Sequence, residues 1–158
     1  MSDTTREFHL ASPEQTAALA QALAPRLRPG DVILLSGPVG AGKSHFARSL
    51  ILSLLDTPED VPSPTYTLVQ TYPSRVGEIW HADLYRLSDT SEIEELGLLD
   101  AFESAICLVE WPNRLHTLAP ETALWITLEP RDHNDTRMMI AKWTSPHWDA
   151  KLKDLPYE

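Results

Sequence analysis

The chain has 158 residues, 42% of them hydrophobic, which is enough for one globular domain with a substantial core. Its net charge of −10 disfavours direct binding of RNA or DNA, because phosphate backbones are held by clustered Lys and Arg and the 13 basic residues are scattered. No apolar run approaches the ~18 residues of a membrane span, and residues 1–7 contain neither a basic nor an apolar signal region, so we expect no secretory signal. We therefore expect a single cytoplasmic domain over residues 1–158.

The first elements lead into a buried strand. Residues 7–10 are expected to form a short edge strand. Residues 12–15 read Ser-Pro-Glu-Gln, which predicts a helix start with a serine N-cap and a capping box, and Pro25 ends or bends that helix. The apolar run 31–35 follows a Pro-Gly turn and predicts a buried parallel strand.

Residues 36–44, SGPVGAGKS, contain the phosphate-binding motif G-x-x-x-x-G-K-[ST] of P-loop NTPases. The glycines let successive backbone N–H groups point at phosphate oxygens. Lys43 supplies positive charge to the β- and γ-phosphates, and Ser44 supplies a hydroxyl to Mg²⁺. An amphipathic helix follows, so the strand-loop-helix context of the motif is complete. The candidate nucleotide-binding residues are Gly37, Pro38, Val39, Gly40, Ala41, Gly42, Lys43 and Ser44.

The middle of the chain predicts a hairpin and a short helix. Three prolines in residues 56–64 exclude regular structure there. Residues 65–72 and 78–85 are rich in β-formers and flank a turn, so we expect them to pair as a hairpin. Residues 91–97 predict a short acidic helix that ends at its glycine.

The last third predicts a central strand and a second hairpin. Residues 105–110 form a continuous apolar run that ends in Glu110, as expected for a central parallel strand with a carboxylate at its C-terminal end. Cys107 lies in this run and is expected to be a buried free thiol. Residues 123–129 and 136–143 predict a second hairpin, with one short helix after it. The fold expected is an α/β P-loop NTPase-like three-layer sandwich, with a mixed, largely parallel central sheet and β-hairpins.

Asp83 and Glu110 are the candidate acids for catalysis and for Mg²⁺, together with Ser44 as a metal ligand. Ligands of open α/β sheets bind outside the C-terminal ends of the strands, where Glu110 is expected to lie. His81 should share a face with Asp83, because strand side chains alternate. We assign Asp83 to Mg²⁺ and a switch, and Glu110 to the attacking water or to the metal through water. The alternatives are a solvated loop carboxylate for Asp83 and an ordinary strand-end charge for Glu110.

Thr65 and Trp111 are less clearly defined by the sequence. Thr65 follows the rigid Ser63-Pro64 segment, where P-loop switch proteins place a hydroxyl that senses γ-phosphate and Mg²⁺. Plain β-propensity explains the same residue equally well. Trp111 directly follows Glu110, and from the residues alone core packing is the favoured interpretation.

Five segments, in this order and at these spacings, resemble one known family. They are the P-loop, SPTYTLV at 63–69, HADLYRL at 81–87, ELG at 95–97 and LVEWP at 108–112. The chain is similar to the bacterial TsaE (YjeE) family, the small ATPase of tRNA threonylcarbamoyladenosine biosynthesis, from about Phe8 to about Ile140.

The resemblance implies a P-loop fold, binding of ATP and Mg²⁺, and slow hydrolysis in concert with TsaB and TsaD. In that family TsaD transfers the threonylcarbamoyl group to adenosine 37 of tRNAs reading ANN codons, and TsaE is thought to reset the complex, so tRNA is engaged only indirectly. Carried over by motif, Thr65 lies in a switch-like loop. Asp83, Glu110 and Trp111 match functionally important family positions. Arg137 matches a family arginine near the last hairpin, which makes it a candidate nucleotide-binding residue.

Several positions depart from the family pattern. The family often has Asp-Leu where this chain has Pro38-Val39, and Thr where it has Ser44. Pro38 removes one backbone donor from the loop. Another family arginine corresponds to Asn134 here, which puts any phosphate or base contact from that region in question.

Three other functions remain open at this stage. A small-molecule P-loop kinase is the main alternative, but such kinases usually carry an arginine-rich lid and no arginine cluster is present in the sequence. A GTPase switch is disfavoured because the chain lacks an Asn-Lys-x-Asp motif. A nucleotide-binding module without activity of its own also fits, since hydrolysis can depend on a partner.

Overall fold

The computed structural model describes residues 3–131 and 135–158. Seven strands in this part of the chain form one sheet: β1 (Thr4–Leu10), β2 (Val32–Ser36), β3 (Val69–Tyr72), β4 (Ile79–Asp83), β5 (Ile106–Glu110), β6 (Leu124–Pro130) and β7 (Arg137–Trp143). The α-helices are α1 (Pro13–Leu23), α2 (Lys43–Leu54), α3 (Thr90–Glu95), α4 (Leu98–Ser104) and α5 (His147–Lys151). Within these residues, no helix is long and apolar enough to cross a membrane.

The strand order across the sheet is β1-β7-β6-β2-β5-β4-β3. The parallel pairs are β2 with β5, β2 with β6, and β4 with β5. The antiparallel pairs are β1 with β7, β3 with β4, and β6 with β7. All strands of the sheet except β3 and β7 therefore run in one direction, which confirms a mixed, largely parallel sheet with two hairpins and β1 at one edge.

Two apolar clusters cover opposite faces of the sheet, because successive strand side chains alternate. Ile33 and Leu35 of β2 belong to the cluster that contains the buried apolar residues of α1 and α2. Val32 and Leu34 belong to the other cluster, which contains the buried residues of α3 and α4. This arrangement confirms the three-layer sandwich. Cys107 lies in the second cluster as a free thiol, and burial raises its pKa to about 12.

The start of α1 follows the prediction closely. The Ser12 side chain accepts a hydrogen bond from the backbone N–H of Gln15, and Pro13 is the first helical residue. The Gln15 side chain accepts from the backbone N–H of Ala11, one residue before the position that a standard capping box uses. The α-helix ends at Leu23, and a 3₁₀ turn that contains Pro25 follows it.

The first hairpin strand begins later than predicted. Residues 65–68 form turns, and β3 starts only at Val69. The backbone N–H of Leu68 donates to the Pro64 carbonyl at 2.7 Å, and Leu68 has a φ of 71°. This local closure overrides the β-propensity of the segment, and it leaves the side chain of Thr65 near the carboxyl end of β4.

The acidic helix prediction was incomplete. The helix α3 begins after Asp89, whose side chain caps it by accepting from the backbone N–H of Ser91. Gly97, with a φ of 81°, follows the end of α3 and also immediately precedes α4, which was not predicted. The left-handed backbone at Gly97 lets the two short helices follow each other with a change of direction.

Candidate functional site

A cleft of about 410 Å³ opens where the P-loop meets the C-terminal ends of β4 and β5. It lies at the strand ends that bind ligands in open α/β sheets. Its lining brings together most of the predicted site residues: Val39, Gly40, Gly42, Lys43, Ser44, Thr65, Asp83, Glu110 and Trp111, with His45 and Tyr85 beside them.

Two glycines of the P-loop are required for different structural reasons. A Cβ at Gly37 would lie 2.4 Å from the Leu128 carbonyl oxygen of β6, and Gly37 has a φ of 140°. Gly40 has a φ of 82°, but a Cβ there would meet no atom within 4 Å. Gly37 is therefore required by close packing of the loop on the sheet, whereas Gly40 is required by its left-handed backbone and borders open cleft.

Lys43 is held inside the loop that its own motif forms. It is the first residue of α2, and only 5% of it is exposed. Its Nζ donates to the carbonyls of Gly37 and Pro38, the latter at 3.0 Å, and lies 4.1 Å from the centroid of the Trp111 ring. Burial lowers the pKa of Lys43, and the carboxylates of Glu110 and Asp83 partly oppose this shift. The cation is thus held by the loop backbone and is close enough to the two acids to interact with their charges.

Glu110 and Asp83 are neighbours across two parallel strands. They are the last residues of β5 and β4 and lie opposite each other in the strand register. Both are nearly buried, with 2% and 4% exposed. The Ser44 hydroxyl donates to Oε1 of Glu110 at 2.8 Å, and the Thr65 hydroxyl donates to Oδ2 of Asp83 at 3.3 Å. One acid is therefore joined to the P-loop helix and the other to the turn after Pro64.

His81 is a site residue that the sequence argument did not select. Its side chain is 1% exposed, and its Nε2 lies 2.7 Å from Oε2 of Glu110. The sequence places His81 and Asp83 on one face of β4 by their spacing. The contact with Glu110 depends on the register of β4 against β5, which the sequence pattern does not specify.

Trp111 lines the cleft instead of packing in the core. It adopts a φ of 59° and is partly buried. Its ring lies 4.8 Å from the Tyr85 ring at an interplanar angle of 49°. The core-packing interpretation favoured by the sequence is therefore wrong for this residue, and the indole forms one wall beside Lys43.

Arg137 contacts the P-loop from the second hairpin. It is the first residue of β7, and its Nε and Nη2 donate to the carbonyls of Ala41 at 3.0 Å and Gly40 at 3.1 Å. The arginine thus reaches the predicted loop through its backbone carbonyls. Asn134, the other position considered in this region, lies outside the described residues.

A family model described as "Threonylcarbamoyl adenosine biosynthesis protein TsaE" matches residues 10–139. The chain belongs to the TsaE family. A TsaE protein of Rickettsia conorii is 39% identical over 125 residues, covering 79% of this chain and 71% of that protein. A TsaE protein of Bacillus subtilis is 36% identical over 124 residues, covering 78% of this chain and 77% of that protein. Both are named tRNA threonylcarbamoyladenosine biosynthesis proteins.

The fold is also similar to a solved structure. The crystal structure of Bacillus subtilis YdiB superposes with a TM-score of 0.82 and 26% sequence identity. The superposition covers 98% of this chain and 95% of that one. The similarity therefore extends over the whole α/β sandwich, beyond the motifs around the cleft.

The cleft of this TsaE-family chain has the donor chemistry of a Mg²⁺-phosphate site. The hydroxyls of Ser44 and Thr65 and two carboxylates converge there, and hard oxygen donors are the ligands that Mg²⁺ prefers. Across residues 3–131 and 135–158, no group of three or more His, Cys, Asp or Glu side chains could hold a metal unaided. Mg²⁺ is commonly bound by one or two carboxylates together with substrate phosphates, so these residues fit an ion that arrives with a nucleotide.

Proposed function

We propose that this chain is a Mg²⁺-dependent ATPase that acts with TsaB- and TsaD-like proteins in the threonylcarbamoylation of adenosine 37 in tRNAs reading ANN codons. The observation that supports the ATPase activity is the hydrogen bond from Ser44 of the P-loop to Glu110, with Asp83 beside it in the strand register, and the tRNA pathway is supported by membership of the TsaE family. A P-loop hydroxyl next to strand-end carboxylates is the arrangement that nucleotide hydrolysis requires.

The P-loop would hold the phosphates of ATP. Gly40 and Gly42 line the cleft, so the backbone N–H groups of this loop would be available to phosphate oxygens, and the N-terminus of α2 favours negative charge there. Lys43 would exchange its hydrogen bonds to the loop carbonyls for hydrogen bonds to phosphate oxygens. This exchange is favourable because the cation would then be paired with negative charge. Arg137 would affect nucleotide binding indirectly, because its hydrogen bonds to the carbonyls of Ala41 and Gly40 stabilise the conformation of the P-loop.

The two acids would divide the remaining work. Ser44, Asp83 and Glu110 would hold the metal, and bound Mg²⁺ would neutralise charge on the β- and γ-phosphates. Glu110 would also orient the attacking water, since a carboxylate at the end of β5 faces the cleft. Asp83 would link the metal to the switch-like turn, because the Thr65 hydroxyl donates to it. Trp111 would wall the cleft on the side of Lys43.

The partners follow from the family and from charge. A chain with a net charge of −10 suits docking to a basic protein surface better than to tRNA. We therefore propose that tRNA is reached only through the TsaB–TsaD complex, and that this complex changes an otherwise slow hydrolysis. This role places the chain in the cytoplasm.

The proposal is tested by calorimetric titration of Mg-ATP into the wild type and Lys43→Ala. The variant should lose productive binding, because the phosphates lose the cation that the motif places. Lys142→Ala is the matched control: Lys142 lines a different groove and pairs with Asp3 at 3.0 Å. It should bind like the wild type. Unchanged affinity in Lys43→Ala would refute the assignment of the P-loop.

A further inference from the structure

The carboxylate of Glu110 is held at both oxygens by side chains from two different elements. Ser44, at the start of α2, donates to Oε1, and His81, on β4, lies 2.7 Å from Oε2. The terminal torsion of a glutamate is broad and weakly restrained by itself. Two partners on separate elements restrict that rotation, so the plane of the carboxylate is set by the fold.

The hydrogen-bond partners of the two ring nitrogens indicate which nitrogen of His81 donates to Glu110. Nδ1 of His81 is buried and has no hydrogen-bond partner among the described residues. A carboxylate oxygen can only accept a hydrogen bond, so a contact of 2.7 Å with Oε2 of Glu110 requires an N–H at Nε2. The ring nitrogen that carries the donated proton is therefore Nε2, and no donor is needed at Nδ1, which has no partner in the described part of the chain to accept from it.

We propose that His81 is a positioning residue, which donates from Nε2 to Glu110 and fixes the carboxylate orientation needed for ATP hydrolysis. This inference rests on the proposed function, because it specifies how Glu110 of the same site is held. His81 itself does not line the cleft, whereas Glu110 does. Its effect therefore reaches the reacting atoms only through Glu110.

The imidazole of His81 restricts rotation of the Glu110 carboxylate about its terminal torsion. Without the donor at Oε2, Glu110 keeps only the bond from Ser44 and can turn about it. Small misplacements of a catalytic group reduce rates by up to about 10²-fold. Binding of ATP by the P-loop does not require this orientation, so the defect should appear in turnover and not in nucleotide affinity.

The test compares His81→Phe with His81→Gln in the full chain, with TsaB and TsaD present. Phe keeps a planar ring but removes the donor, and Gln places an amide N–H near the position of Nε2. His81→Phe should lower kcat between about 10- and 100-fold with the Kd for ATP within about twofold, and His81→Gln should recover most of the rate. An unchanged kcat in His81→Phe, or a Gln variant as slow as the Phe variant, would overturn the proposal.

Measuring His81→Phe in the Glu110→Gln variant distinguishes a positioning role of His81 from a purely structural one. In Glu110→Gln, His81→Phe should cause no further loss of rate, because the group through which it acts is already altered. An equal fold-loss in both backgrounds would show that His81 only supports the fold, and the proposal would fail.

A spectroscopic measurement tests the contact without any turnover. The ¹⁵N shifts of the wild-type His81 ring should show a proton on Nε2. A ring without a proton on Nε2 would overturn the proposal even if ATP is hydrolysed. If the wild type proves not to bind ATP, the proposed function fails, while this measurement still decides whether His81 donates to Glu110.

Discussion

Substituting two glycines of the same loop should separate packing of the P-loop from nucleotide binding. At Gly37, alanine adopts a φ of 140° and its Cβ meets the Leu128 carbonyl oxygen at 2.4 Å. Backbone strain of about 1–3 kcal/mol adds to overpacking of about 1–3 kcal/mol, which gives a loss of about 4 kcal/mol in the free energy of unfolding. The clash is with backbone, so side-chain rotation does not relieve it.

Gly40→Ala is the matched variant. Its φ of 82° strains an alanine, but no atom lies within 4 Å of the added Cβ. The expected loss is therefore the strain alone, about 1.5 kcal/mol. Gly40 lines the cleft, so the methyl group should nevertheless weaken Mg-ATP binding.

Thermal unfolding followed by circular dichroism measures the difference. For a chain of this size, a gap of about 2.5 kcal/mol separates the two Tm values by roughly 5–10 °C, with Gly37→Ala the lower. Calorimetry at a temperature where both variants are folded should show weakened Mg-ATP binding in Gly40→Ala. Equal Tm losses, or a larger loss in Gly40→Ala, would refute the idea that Gly37 is fixed by packing against β6.

The remaining predictions concern the metal, the acids and the thiol. Ser44→Ala should mainly weaken the Mg²⁺ dependence of nucleotide binding, and identical Mg²⁺ titrations for wild type and variant would contradict this. Glu110→Gln should bind ATP but hydrolyse it slowly, whereas Asp83→Asn should lose Mg²⁺-dependent binding as well as turnover. If Glu110→Gln lost nucleotide binding while Asp83→Asn kept it without hydrolysis, the two roles would be exchanged. Unchanged turnover in both variants would show that both acids are structural. Cys107 should resist alkylation at about pH 8 in the folded protein and react in urea, because its pKa of about 12 keeps the buried thiol protonated. Rapid alkylation of the native protein would contradict that.

The parts of the fold that the sequence predicted are those encoded over short stretches. The strand-loop-helix at residues 32–54 follows from an apolar run, glycines and a helical period, and both hairpins follow from β-rich segments around turns. Two elements were not predicted correctly for local reasons. The turn at residues 65–68 is closed by one backbone hydrogen bond against strong β-propensity, and α4 is too short to show a clear period.

The sequence predicted which acids belong to the site but not the hydrogen bonds that they form. Glu110 and Asp83 could be selected because acids at strand ends are needed beside a P-loop. Their pairing with Ser44 and Thr65 depends on how the P-loop helix and the turn after Pro64 meet the strand ends, and the bond from His81 depends on strand register. These features arise from contacts between residues distant in the chain, which hydrophobic periodicity does not encode.

The most direct test of the central claim is the rate of ATP hydrolysis by the purified chain, measured with Mg²⁺ in the absence and presence of TsaB and TsaD. We predict slow turnover by the chain alone, a changed rate with the partners, and a marked fall in both rates in Glu110→Gln. No hydrolysis under either condition, or a partner-dependent rate that Glu110→Gln leaves intact, would contradict it.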